Sequence, residues 1–71
     1  MTAKAIDAQT IGERLRALRG TRTQKEVGEA VGVTAMAISQ FERGERVPAD
    51  NTKLALAKFF DSTVEAIFFT F

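Results

Sequence analysis

The stretch from Gln24 to Arg43, QKEVGEAVGVTAMAISQFER, leaves this chain little freedom in how it folds. Apolar residues stand at its fourth, eighth, tenth, fifteenth and eighteenth places (Val27, Val31, Val33, Ile38 and Phe41), and glycines at its fifth and ninth (Gly28 and Gly32). Two short helices meeting at about 90–120° across a tight turn impose these same conditions. Apolar side chains must fill the corner. Gly28, where the pair crosses closest, must be small, and Gly32, which ends the first helix, must accept a positive φ. Each condition alone is weak evidence. All of them met in one register predict a helix-turn-helix over residues 24–43.

The rest of the chain supplies helices to back that corner. Thr10 and Glu13 have the spacing of a capping box, and Ile11, Leu15 and Leu18 follow on one face of a first helix that Gly20 stops. Thr23 and Glu26 repeat that spacing and open a second helix, Gln24 to Val31. After the linking Val33, Thr34 caps a third helix that reaches Arg43, with Gly44 at its end. The polar loop GERVPAD holds the only proline, Pro48. Asp50 or Asn51 then caps a fourth helix with Leu54, Leu56, Ala57 and Phe60 available for the core. A short fifth helix follows the Ser62/Thr63 cap and turns Val64, Ile67 and Phe68 inward. No segment alternates with the period of a strand. The expectation is all-α: a compact five-helix bundle over residues 10–68, with residues 1–9 a tail or frayed extension of the first helix and 69–71 an aromatic tail.

Composition narrows the function classes. With 71 residues, 45% of them hydrophobic, the chain can bury one small core. It has no Cys, His, Tyr or Trp. Without Cys there is neither disulfide nor thiolate, and without His the commonest general base and metal ligand are both missing. An enzyme is not expected, nor a metal, a cofactor or a small-molecule ligand. No apolar run approaches the roughly 18 residues of a membrane span and no secretory signal is legible, so a soluble cytoplasmic protein is expected. No sensor domain is legible, which favours control by concentration or by a partner.

The net charge is only +1, yet five cations and no anion lie between residues 14 and 25: Arg14, Arg16, Arg19, Arg22 and Lys25. Such a run suits a phosphate footprint and a solvated helix face about equally. For Arg14 and Arg16 the solvated face is the expectation, and for Lys4 a disordered end.

Four segments carry a family resemblance: IGERLRALR (11–19), TQKEVGEAVGVT (23–34), ISQFERG (38–44) and the closing pattern from Pro48 to Phe68. Through them residues 10–68 resemble the Xre/Cro family of lambda-repressor-like helix-turn-helix proteins. The resemblance implies a sequence-specific transcriptional regulator, bound without cofactor to double-stranded DNA as a homodimer on a two-fold-symmetric operator. It implies that the third helix enters the major groove. Gln24 and the neighbouring Lys25 would then meet the phosphate backbone. Thr34, Ala35, Met36, Ser39 and Gln40 would occupy base-reading positions, and Arg43 and Arg46 would meet a phosphate strand. Arg19 and Glu42 match a structural ion pair of relatives. The chain departs from the family pattern in three places. Its link from Gly20 to Thr23 is about two residues shorter, and Asp50, Lys53, Asp61 and Ser62 replace residues that are commonly Leu, Leu, Gly and Val. Ala35, Met36 and Ala37 are apolar where many relatives carry Gln, Ser or Arg. Met36 suits a packing role and a contact to thymine or a partner about equally.

Six phenylalanines include the pairs Phe59–Phe60 and Phe68–Phe69, and consecutive helical residues point about 100° apart, so neither pair can face one core together. Phe68, Phe69 and Phe71 are expected to form a dimerising patch, against the alternative that the tail folds back over the bundle. The rival function is a protein-interaction module, an antitoxin-like or anti-repressor partner that keeps the fold and uses the apolar Ala35–Ala37 face.

Overall fold

In the computed structural model, which describes residues 7–70, the chain forms α1 (Ala8–Arg19), α2 (Gln24–Val31), α3 (Ala35–Glu42), α4 (Asp50–Phe59) and a terminal turn of wider, π-helical pitch, α5 (Glu65–Phe69). No strand occurs among the described residues. Lys4 and Phe71 lie outside the described residues.

The start of α1 corrects the expected capping box. Asp7 caps the helix: its carboxylate accepts from the amides of Gln9 and Thr10 at 3.2 and 3.3 Å, and the Thr10 hydroxyl donates to it at 2.7 Å. Thr10 therefore lies inside the helix, and residues 8 and 9 are helix rather than tail. Asp caps at least as well as Thr and adds a negative charge at the positive end of the helix dipole.

Ile11 and Leu15 of α1, Val27 of α2, Ala37, Ile38 and Phe41 of α3, Leu56 and Ala57 of α4, and Ile67 and Phe68 of α5 make one buried cluster. Leu18, Val31, Val33, Phe59, Phe60 and Val64 pack at its rim, half-buried. The crossing of α1 over the end of α3 is set by Gly12. A Cβ there would stand 2.6 Å from the Phe41 carbonyl oxygen and 2.8 Å from the Glu42 carbonyl carbon, both backbone atoms.

Two features of the second half also differ from expectation. Neither Asp50 nor Asn51 caps α4. Ala49 occupies the cap position without a side-chain bond, Asp50 is the first helical residue, and the Asn51 side chain accepts from the next amide, that of Thr52, at 2.9 Å. An anion in the first turn still complements the helix dipole. The helix therefore buries Lys53, Leu56 and Ala57 and leaves Leu54 exposed. Lys53 is only 7% exposed. Its stem lines the core while its ammonium lies 3.7 Å from Asp50 and 5.0 Å from the Phe69 ring centroid.

Asp61 turns the chain into α5 at a φ of 55°, a left-handed conformation that Asp tolerates better than most side chains. The terminal segment then widens. Thr63 Oγ accepts from the Ala66 amide at 3.0 Å, and Arg14 of α1 donates to the carbonyls of Ala66 at 3.2 Å, Ile67 at 2.9 Å and Thr70. The expected solvated role for Arg14 is thus corrected. Its guanidinium ties the backbone carbonyls of this last segment to α1.

Candidate nucleic-acid interface

The corner between α2 and α3 is built by local chemistry. Thr23 Oγ accepts from the Glu26 amide at 3.0 Å while Glu26 Oε1 accepts from the Thr23 amide at 2.7 Å, a reciprocal capping box that starts α2. These donors, the Thr23 amide above all, hold the Glu26 carboxyl below the usual carboxylate range. Gly32 ends the helix at φ 84° and ψ 27°, and the amides of Gly32 and Val33 both donate to the Gly28 carbonyl at 2.8 Å. Gly28 admits the returning chain. A Cβ there would stand 2.7 Å from the Val33 carbonyl oxygen, so the close approach is to the turn backbone ahead of α3 rather than to a crossing helix. Thr34 Oγ accepts from the Ala37 amide at 3.0 Å and starts α3.

Glu42, at the end of α3, ties the motif to its support. Its side chain is 5% exposed and accepts from Arg19 Nε at 2.6 Å, Arg19 Nη2 at 3.0 Å and Gln24 Nε2 at 3.1 Å. One carboxylate therefore joins α1, the first residue of α2 and α3. The hydrogen bond to Glu42 holds the Arg19 guanidinium more firmly protonated than usual. Gln24 gives one amide hydrogen to Glu42 and keeps the second for another acceptor.

Away from the core, α3 presents Met36, 65% exposed, with Thr34 also exposed and Ala35, Ser39 and Gln40 half-buried. Ala37 is corrected from the expected apolar face: it is buried in the core, one position on from Met36 and so about 100° around the helix. Lys25 is exposed on α2. In the loop after α3, Arg43 pairs with Glu45 at 3.1 Å, both exposed. Arg46 donates to Gln40 Oε1 at 3.1 Å, and its guanidinium lies over the Phe41 ring, 5.3 Å from the centroid.

The basic run does not face one way. Arg14 reaches α5, Arg19 reaches Glu42, and Arg22 lies over the Phe59 ring of α4 at 5.3 Å. The Arg22 contact also shows how adjacent Phe59 and Phe60 are both accommodated: they meet edge to face at 5.1 Å on the core rim, and a guanidinium covers one of them. Composition alone could not locate these contacts. At the C-terminus, Phe68 is 0% exposed and belongs to the core, so it cannot form a surface patch in the folded monomer. Phe69 is 51% exposed.

Among the described residues no group of three His, Cys, Asp or Glu side chains could hold a metal ion, and no helix is long and apolar enough to cross a membrane. An apolar groove of about 300 Å³ lined by Arg14, Ala17, Leu18, Ser62, Ala66 and Ile67 shares no residue with α3.

The profile of a family described as a helix-turn-helix domain matches residues 10–66. Repressor protein C2 of Salmonella phage P22 is 44% identical over 55 residues, which is 75% of this chain. The chain spans 26% of that relative's length. Among solved structures, the P22 c2 repressor in complex with a synthetic operator matches with a TM-score of 0.80 and 39% identity, over 83% of this chain and 92% of that one. The restriction-modification controller protein C.AhdI of Aeromonas hydrophila matches with a TM-score of 0.78 and 28% identity, over 87% of this chain and 93% of that one.

Proposed function

Because this chain belongs to the helix-turn-helix domain family, in its Xre/Cro, lambda-repressor-like branch, we propose that it is a sequence-specific transcriptional regulator that binds double-stranded DNA as a homodimer. The observation that carries this reading is the two-sidedness of α3. One side is locked by the core and by the Glu42 network, while the other offers Thr34, Met36, Ser39 and Gln40 outward, flanked by Lys25, Arg43 and Arg46. The operator complex of the P22 relative supports it further.

Phosphates set the register and bases supply the specificity. The remaining amide hydrogen of Gln24, the N-terminus of α2 and the cations Lys25, Arg43 and Arg46 meet the backbone. The first turn of α3 offers methyl and thioether groups at Ala35 and Met36, which suit thymine methyls, and Ser39 and Gln40 add polar readout one turn on. Two copies related by a two-fold place their α3 helices about 34 Å apart, one helical turn of DNA. Among the described residues, Phe69, which lies beside Lys53, is the exposed aromatic residue available for pairing the copies. With about three cations in each copy the dimer neutralises about six phosphates, and log K against log salt falls with a slope near −5.

Selection from a random duplex library at low and moderate salt tests the proposal. An inverted repeat with centres about 10 base pairs apart is the expected product. No retained duplex even at low salt would overturn it and favour the protein-interaction module, for which the exposed Met36 is the supporting feature.

A further inference from the structure

The chain has no Cys, His, Tyr or Trp and two methionines, Met1 and Met36, of which Met36 alone lies among the described residues. Peroxides act on protein sulfur, converting a methionine thioether to its sulfoxide. Among the described residues the whole of that susceptibility therefore falls on one side chain. Its place in the fold makes it accessible. Met36 is 65% exposed and takes no part in the core cluster, whereas the next two residues, Ala37 and Ile38, are buried in it. It also stands in the first turn of α3. On the reading proposed above, on which this inference rests, its thioether there lies against thymine methyls.

We propose that Met36 is an oxidation site through which peroxide releases the protein from its operator. One oxygen atom passes from hydrogen peroxide to Met36 Sδ. The O–O bond breaks, an S=O bond forms, the sulfur gives up two electrons, and the second peroxide oxygen leaves as water. The sulfoxide is neutral but strongly polar, a hydrogen-bond acceptor set against methyl groups that have no polar hydrogen to donate. Desolvating it against DNA weakens binding by about ten-fold in each half-site and about a hundred-fold for the dimer. No charge changes, so the phosphate contacts of Lys25, Arg43 and Arg46 persist, and with them the affinity for unrelated duplex and the salt slope. The core is untouched, so the fold persists too. Oxidation thus acts on sequence reading alone. A sulfoxide reductase reverses it, a dithiol returning the two electrons and the oxygen leaving as water.

The test uses the duplex enriched by selection and protein treated with hydrogen peroxide until Met36 is partly oxidised. The mixture is passed over the immobilised duplex, and the bound and unbound fractions are digested and read by mass spectrometry. Met36 sulfoxide should be depleted about ten-fold from the bound fraction, while Met1 sulfoxide, the internal standard, divides equally. Fully oxidised protein should bind the selected duplex about a hundred-fold more weakly than untreated protein. Its affinity for unrelated duplex, its salt slope and its melting temperature should not move, and methionine sulfoxide reductases should restore operator binding. Met36→Leu has no thioether at this position. Compared with itself before and after peroxide, it should show no change. Equal Met36 sulfoxide in the two fractions overturns the inference and leaves the regulator reading intact. A lowered melting temperature also overturns it, since the loss would then be one of folding. Untreated protein that enriches no duplex removes the regulator reading, and this inference with it.

Discussion

Replacing Gly12 by alanine tests whether the seat of α3 on α1 is as tight as the geometry requires. In an exposed stretch of helix the change stabilises by about 1 kcal/mol, because glycine is a poor helix former. Here the new Cβ would lie 2.6 Å from the Phe41 carbonyl oxygen and closer still to that of Glu42, whereas ordinary contact starts near 3.4 Å. The obstructing atoms are backbone, so no side chain can swing aside, and the helices must part by at least 0.8 Å. A gap of that size forfeits roughly a quarter to a half of each dispersion contact across it. Ile11 and Leu15 of α1 and Ile38 and Phe41 of α3 all belong to the core at this crossing. Overpacking of this kind costs about 3 kcal/mol at the upper end of its range, which leaves a net loss of about 2 kcal/mol after the helix-propensity gain. For a domain of this size the melting temperature should fall by about 10 °C. Thermal unfolding followed by circular dichroism measures it, with Glu13→Ala on the exposed neighbouring position as a control expected to stay within a few degrees. A Gly12→Ala protein that melts at or above the wild-type temperature would refute the reasoning, since it would mean that α1 and α3 have slack between them.

Removing Glu42 strands Arg19 and Gln24, so Glu42→Ala should cost about 3 kcal/mol in chemical denaturation; Arg19→Ala should cost a similar amount and the double variant clearly less than their sum. Phe68→Ala opens a cavity in the core and should cost about 3–5 kcal/mol, whereas Phe69→Ser should change monomer stability by less than about 0.5 kcal/mol and halve the mass seen by light scattering, an unchanged mass counting against Phe69 in dimerisation. Glu26 titrates below its ordinary value of 4.5 because Thr23 donates to its charged form, so its contribution is present above that value and is lost as the pH falls through the lower, folded one. Glu26→Ala should therefore flatten the acid limb of the stability curve relative to the wild type; identical limbs would show that the capping box contributes nothing there.

The corner formed by α2 and α3 was legible because nearly every condition on it is local. The Thr23–Glu26 reciprocity, the left-handed Gly32 and the Thr34 cap each depend on partners within four residues, and the apolar positions share one helical period. Helix starts were misplaced where two capping residues competed. Asp7 outcompeted Thr10 from three residues upstream, and α4 began after Ala49 because the preceding buried Pro48 and the packing of Lys53, Leu56 and Ala57 set its register more strongly than any cap.

The side chains around the interface were less legible because their partners are distant in sequence. The five cations of residues 14–25 read as a single patch on charge alone, yet three of them have partners within the fold: Arg14 on α5, Arg19 on Glu42, and Arg22, itself exposed, over the Phe59 ring at the core rim. For Arg19 a signal existed, since its matching Glu42 appears in the resemblance to repressor-like relatives. For Arg22 the only hint was the adjacent Phe59–Phe60 pair, one ring of which needed a cover. For Arg14 there was none. Its acceptors are backbone carbonyls of α5, and every residue has a carbonyl whatever its side chain. A charge run therefore overstates the phosphates a helical domain can meet wherever a guanidinium commits its donors inside its own fold, as Arg14 does on the carbonyls of α5 and Arg19 on the buried Glu42 carboxylate.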